Sequence, residues 1–404
     1  MSINKIVIEM EAGYDFRNGD DRIQVVPKEK DAWSVIREVT QNGYREDAFY
    51  ICDINDVISQ YKKWKITMPR VEPHYAVKCN ATKAVLESLA ALGAGFDCAS
   101  KEEIRKVQAL GVSPNRIIFA NPAKKASHIK YAAEVGVSTM TFDSKNELMV
   151  LRIRYDDLSA TYVLGNKYGC DPKTEALDIL RVARSLDIKV IGVSFHVGSG
   201  SKDTTIYAKA IEAARYVFDV AENLGFNFNF LDIGGGFPGG KTKDFYEIGR
   251  SINKALEMYF PDPSIRIISE PGRYFVTSAF TLLSNIHSIK EGVEVDPTTG
   301  KSQTLQMYYL DVSVYGAFIT VLTDEFYQPK ALNGSKHSRN YPSIVWGATC
   351  DGVDKIAHNV LLPELNIGDW IVFEEAGAYT LSIACEFNGF PVPDVHCIID
   401  EENW

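Results

Sequence analysis

HYAVKCNATKAVLESLAALGAGFDCASKEEIRKVQALGV (His74–Val112) is the stretch whose reading decides the fold. A short apolar run, Tyr75–Lys78, leads into a helical stretch, Ala81–Leu92. A second apolar run, Gly95–Ala99, leads into another, Lys101–Leu110. Ser100 and Glu103 have the spacing of a capping box at the start of that second helix. Hydrophobic period thus switches from short runs to helical spacing twice in succession, the signature of a parallel sheet with crossover helices.

The alternation continues to about residue 275. Further apolar runs fall at Ile117–Ala120, Thr139–Phe142, Val150–Ile153, Val193–Val197, Phe230–Ile233 and Ile267–Glu270, eight in all. Between them, helices are predicted over Ala126–Val135, around Glu147, and over Leu177–Ser185, Ile206–Leu224 and Phe245–Tyr259. Eight strand–helix units predict a (β/α)8 barrel of the TIM type. A doubly wound sheet is the alternative, but its GxGxxG fingerprint after the first strand is missing.

After residue 280 the texture changes. Phe280–Lys290, Gln306–Asp311, Ser343–Trp346 and Trp370–Glu374 read as strands, and PKALNGSKHSRNYP (329–342) as a polar loop. This predicts a C-terminal all-β domain of sandwich or Greek-key type, completed by N-terminal residues such as Ile23–Val26. The expected division is a barrel over 46–280 and a β domain over 1–45 and 281–404.

Net charge is −10, which argues against nucleic acid or an acidic membrane as partner. The N-terminus has no sustained apolar run, so neither a signal peptide nor a membrane span is expected. Seven cysteines include no CxxC pair. Reduced thiols in a cytoplasmic protein, and no zinc or other metal site, are the expectation.

In a barrel, chemistry sits at the C-terminal ends of the strands. Lys78, Asp97, Asn121, Arg152, His196, Gly234–Gly236 and Glu270 occupy those ends. A lysine closing a strand is ordinarily a solvated charge. Partial desolvation would lower its pKa and make it a Schiff-base amine. A histidine there is more often a satisfied core residue than a ligand, and a glycine run is as often a tight turn as a phosphate cradle. Glu270 reads equally well as half of an ion pair or as the partner of a protonated ring nitrogen. Arg273 in EPGRY could pair on the surface. Taken together, these residues suit an aromatic, phosphorylated carbonyl compound.

YAVKCN, GFDCAS, FHVGSG, DIGGGFPG, EPGRY, TCDG and GAYT, in this order, resemble the ornithine decarboxylase branch of the pyridoxal-phosphate barrel decarboxylases, from about residue 45 to 395. The resemblance implies that Lys78 carries pyridoxal 5'-phosphate covalently through its amine. It implies that Glu270 keeps the ring nitrogen protonated and that His196 stacks on the ring. Asp97 and Arg152 match positions around the cofactor; Ser199, Gly235, Gly236, Arg273 and Tyr379 match its phosphate site. Tyr315, Asp324, Asp351 and Phe387 match the substrate end, and Cys350 the group that protonates the product carbon. In that family Cys350 and Asp351 come from a partner subunit, so a homodimer with shared sites is implied. Lys167 and Asp354 match a pair linking subunits.

The activity implied is decarboxylation of L-ornithine, a small diamino acid, to putrescine and CO2, which begins polyamine synthesis. An antizyme-like regulator is a further partner that the resemblance allows. Some relatives carry a longer C-terminal tail used for regulated degradation; the chain ends at Trp404, so tail-independent turnover is expected. The family's NDGVYG is DVSVYG here (Asp311–Gly316), its GPTCD is GATCD, and Ser-Phe-Asn after VYG is Ala317-Phe318-Ile319. These departures flank the substrate pocket. One methylene is worth only about 1–3 kcal/mol of discrimination, so lysine stands as an alternative substrate. Arginine is another, disfavoured by the paired aspartates. A non-catalytic regulatory homologue is the reading from a different class, opposed by the full set of cofactor residues.

Overall fold

The computed structural model describes residues 23–41, 45–143, 150–157, 159–201, 203–240, 242, 244–295, 300, 302–323, 325–333 and 339–404. The predicted helix around Glu147 and the substrate carboxylate Asp324 lie outside the described residues. Two compact units form: Val57–Phe275, and the chain up to Asp56 together with Val276–Trp404.

In the first unit, eight strands close into a parallel barrel. They are Val71–Ala76, Gly95–Cys98, Ile117–Phe119, Thr139–Phe142, Val150–Arg152, Gly192–Ser194, Phe230–Asp232 and Arg266–Ser269. The last pairs with the first, Ile267 opposite Val71. Their residues are almost all buried, as expected of parallel strands covered on both faces. Among the described residues, six helices intervene at Lys83–Leu92, Lys101–Ala109, Ala126–Glu134, Ala176–Ser185, Ile206–Asn223 and Asp244–Tyr259. Helix Lys83–Leu92 stops at Gly93, whose positive φ of 95° lets its N–H reach back to the Ala90 and Leu89 carbonyls. The Ser100 side chain accepts from Glu103 N, as its spacing predicted, while Glu103 reaches back to Ala99 N rather than to Ser100.

Trp64 seats an aromatic cluster in this unit. Its indole N–H donates to the Val71 carbonyl at 3.0 Å, and its ring meets Phe237 edge-on at 4.8 Å. Phe237 also stacks on Tyr207 at 4.7 Å. Phe237 directly follows the glycine run, so this packing anchors the turn at the mouth of the barrel.

The second unit is built on a nine-stranded mixed sheet. Its longest strand, Phe280–Val295, pairs with Phe49–Asp53, Trp370–Phe373 and Ser302–Leu310. It runs beyond Lys290 because Glu291–Val295 continues against Gln306–Ser302. Ile23–Val26 joins the sheet as expected, in parallel with Asp394–Asp400. Helix Ala32–Gln41, which the strand reading did not include, buries Val35, Ile36 and Val39 against Phe49, Leu283 and Val372. Strands Pro329–Ala331 and Asn340–Trp346 occupy the two ends of the segment predicted to be a loop.

Candidate active site

Lys78 lies just beyond its strand. The strand ends at Ala76, and Val77–Cys79 form a single 3-10 turn. Val77 and Cys79 are fully buried, while the Lys78 side chain is 46% exposed. Tyr75 Oη donates to the Asn80 carbonyl at 2.8 Å, and Ala76 N donates to the Pro271 carbonyl at 3.1 Å, pinning both sides of the turn. The Lys78 ammonium pairs with Asp97 Oδ2. Asp97 is 1% exposed, so this salt bridge is anchored at its acidic end in a dry site.

Around that pair stand two more buried carboxyls, Asp232 and Glu270. Burial pushes Asp232 up to about 7 and pushes Glu270 well above the carboxylate range. Asp232 and Asp97 raise Glu270 further, and the Lys78 cation opposes them. The Asp232 and Glu270 carboxyls lie near enough for each to shift the other's titration. Asp97 Oδ1, Asp232 Oδ2 and Glu270 Oε1 receive no hydrogen bond from an N–H or O–H among the described residues. Asp232 was missed from the sequence. It is the first residue of DIGGG, and its strand-end position next to the glycines was the available signal.

Gly234 ties these groups together. Its N–H donates to Asp232 Oδ1 at 2.9 Å, and its carbonyl accepts from Glu270 N at 2.8 Å and Ser269 Oγ at 2.6 Å. A Cβ at Gly235 would lie 2.5 Å from the Glu270 carbonyl and 3.1 Å from His196 Nε2. Gly236 has φ of 94°, and a Cβ there would lie 2.0 Å from the Gly198 carbonyl. Side chains are thus excluded along the whole turn. His196 Nδ1 accepts from Gly198 N at 3.0 Å. Burial, then the Arg152 and Lys78 cations, hold the imidazole well below its usual range. A neutral ring accepting at Nδ1 carries its proton on Nε2.

Five other predicted residues lie in the same unit; one, Lys167, sets its ammonium 5.1 Å from the Tyr168 ring centre. Ser199 exchanges backbone hydrogen bonds with Tyr162, both 3.0 Å. The Arg152 guanidinium lies 5.1 Å from the Tyr168 ring centre. Arg273 begins the short helix Arg273–Val276. Asn121 Nδ2 donates to the Ala99 carbonyl at 3.4 Å, bracing two strand ends rather than joining the charged cluster.

The second unit carries the remaining predicted residues. Tyr315 Oη donates to Asp351 Oδ2 at 2.6 Å, and the Tyr315 ring lies 4.7 Å from Phe387. The Tyr315 hydroxyl holds the Asp351 carboxyl below the usual range, and Asp351 in turn pushes the phenol up to about 12. Cys350 is exposed; its Sγ lies 3.5 Å from Asn388 Oδ1, which also accepts from Cys350 N at 3.4 Å. Asn388 takes this position at φ 56°. The FNGF segment reads from sequence as an aromatic turn, so this contact was missed. Tyr379 also sits in the left-handed region, at φ 55°. Asp354 accepts from Val314 N at 2.7 Å, Thr349 N at 2.8 Å and Thr349 Oγ1 at 2.6 Å, all within its own chain.

The barrel unit's donor set suits a flat, phosphorylated, ring-nitrogen carbonyl compound. It offers one amine, buried acceptors without donors, a neutral imidazole and a turn that a Cβ would fill. Fold and site together suit a barrel enzyme that holds such a compound as its cofactor. Residues 54–277 match the family model described as "Pyridoxal-dependent decarboxylase, pyridoxal binding domain". Rat ornithine decarboxylase is 46% identical over 389 residues, covering 91% of this chain and 84% of the rat protein. The antizyme inhibitor 2 of Xenopus laevis is 47% identical over 392 residues, covering 92% and 85%. The arginine decarboxylase of Paramecium bursaria Chlorella virus, solved with agmatine, superposes with a TM-score of 0.83 at 38% identity, covering 91% of this chain and 100% of that one. The chain belongs to the pyridoxal-dependent decarboxylases, in the branch that includes ornithine decarboxylase. Its cofactor is pyridoxal 5'-phosphate.

Proposed function

We propose that this enzyme decarboxylates L-ornithine to putrescine and CO2, the opening reaction of polyamine synthesis. The observation that carries the proposal is the Lys78 amine held against fully buried Asp97 at one barrel end, beside Glu270 and the glycine turn. Bound there, the cofactor supplies an electron sink for the pair left behind when CO2 departs. Lys78 anchors it, and Asp97 orients the amine. Glu270 provides the counter-ion for a protonated ring nitrogen. His196 offers a neutral, flat face that adds no charge to the ring, and Arg152 braces the site from the neighbouring strand. Ser199, Gly235, Gly236, Arg273 and Tyr379 are the proposed phosphate ligands.

Asp351, kept ionised by Tyr315, is the proposed acceptor for the distal ammonium, with Asp324 as its companion and Phe387 closing on the substrate stem. Cys350 Sγ–H is the proposed proton donor to the α-carbon. The proposed assembly is a homodimer in which Cys350 and Asp351 complete the partner's site. The proposed domain division is a barrel over 46–280 and a β domain over 1–45 and 281–404, in keeping with two compact units. Cytoplasm is the proposed compartment; all seven cysteines are unbridged. An antizyme-like protein is a proposed regulator, in keeping with the similarity to antizyme inhibitor 2.

That similarity also motivates a second reading, a binding protein without turnover. Retention of Lys78, His196, Glu270, Cys350 and Asp351 supports catalysis instead. The purified chain, supplied with pyridoxal phosphate, should release CO2 fastest from ornithine, more slowly from lysine and least from arginine. A visible cofactor band without turnover of any of the three would favour the binding protein. Preference for arginine would overturn the substrate assignment.

A further inference from the structure

Asp232 is buried in the barrel unit and none of the roles above uses it. Its strand, Phe230–Asp232, pairs in parallel with Arg266–Ser269, with Ile268 opposite Asp232. Glu270 follows that neighbouring strand directly, so the two carboxyls leave adjacent strand ends. Gly234 holds both, donating to Asp232 Oδ1 and accepting from Glu270 N. The oxygens left over, Asp232 Oδ2 and Glu270 Oε1, are buried and have no N–H or O–H donor among the described residues.

Two ionised carboxylates facing each other in a dry site repel strongly, and a single proton between them turns repulsion into a hydrogen bond. Among the described residues that act on the pair, Lys78 and Arg152 are the cations. Lys78, from the turn after the first strand, is matched to Asp97 on the second. Arg152 faces Asp232 from the fifth strand, and His196, after the sixth, is neutral. Asp97 adds a third negative charge.

We propose that Asp232 is a positioning residue that acts through Glu270, the two sharing one proton so that the pair presents a single negative charge to the ring nitrogen. This rests on the proposed role of Glu270 as that nitrogen's counter-ion. In the loaded enzyme the proton resides on Asp232, whose O–H donates to ionised Glu270. In the chain without cofactor it resides on Glu270, which donates to ionised Asp232. Either way the pair carries one charge. Without the shared proton, the nitrogen would face two buried negative charges side by side, which repel each other in a dry site.

The test compares the full-length holoenzyme with its Asp232→Asn variant. Asparagine keeps an acceptor for Gly234 N and offers Glu270 a fixed N–H donor, but it cannot carry the proton. Infrared difference spectra at neutral pH should show a protonated-carboxyl C=O stretch in the wild-type protein that is missing from the variant. The visible cofactor band should keep its intensity while its pH midpoint moves by about one unit. Turnover should fall ~10-fold in kcat with KM little changed. Glu270→Gln, which leaves Asp232 facing an amide donor, should remove the same infrared band and serves if Asp232→Asn fails to fold. An unchanged infrared band and an unchanged pH midpoint, with cofactor bound, would overturn the shared proton. Failure of wild-type chain to form the visible band at all would instead overturn the cofactor role of Lys78 and Glu270.

Discussion

In the proposed anchoring role, Lys78 and Asp97 divide a task that neither could perform alone. The amine must be reachable yet held in one place, and a carboxylate buried at its far end does both. Lys78→Ala should abolish turnover and the borohydride-trappable bond to the cofactor. Near-normal steady-state activity would exclude Lys78 as the anchor. A different residue contributes to acid sensitivity. His74, in the first barrel strand, is buried and pushed down to about 3 by desolvation, with Arg266 and Arg116 adding to the effect. In the unfolded chain the same imidazole titrates near 6.5. Between those values only the unfolded state binds the proton. Its stabilising neutrality is therefore complete above the higher value and is lost as pH falls toward the lower. His74→Gln should flatten the fall of unfolding free energy with acid by about 1.4 kcal/mol per pH unit, measured by urea denaturation between pH 6 and 4. An unaltered slope would mean that His74 is solvated in the native state.

Two turns of the second unit are coupled through one carboxylate. Asp354 is 1% exposed and accepts from both Val314 and Thr349. The first begins the short helix that carries Tyr315; the second precedes Cys350 and Asp351. Ser313, which replaces the family's glycine, adds a cap by accepting from Gly316 N at 2.9 Å. Gly347 makes room for the carboxylate, since a Cβ there would lie 2.1 Å from Asp354 Oδ1. Asp354→Ala should therefore cost about 3 kcal/mol in chemical denaturation, because it strands buried N–H groups. It should also raise KM more than it lowers kcat, as Tyr315 and Asp351 lose their fixed spacing. A stability loss with KM unmoved would limit Asp354 to structure. The glycine turn works at the same scale: Gly234 positions Asp232 and Glu270 through backbone alone, so the acidic pair depends on main-chain geometry.

At the scale of the whole molecule, the proposed shared site makes a distinctive prediction. Lys78→Ala and Cys350→Ala chains, each inactive, should regain about a quarter of wild-type activity when mixed and allowed to exchange, since one site in a hybrid would be complete. No recovery after verified exchange would argue that each chain supplies its own Cys350. The barrel was legible from sequence because a change of hydrophobic period is a local property, and among the described residues most of its strands alternate with helices along the chain. Much of the second unit was not. Phe49–Asp53 sits between Asp394–Asp400 and Phe280–Val295, partners more than two hundred residues away, and nothing local in FYICD announces them. Helix Ile54–Thr67 and strand Lys355–Pro363 were missed for want of a clean period. By itself the sequence determined the alternation that closes a barrel and the residue types at its strand ends: the lysine, the histidine, the acids and the glycines. Only the tertiary structure decided which acids meet and what charge they hold. Asp97 pairs with Lys78 while Asp232 and Glu270 face each other, because burial and Coulomb energy depend on distance through space and not along the chain.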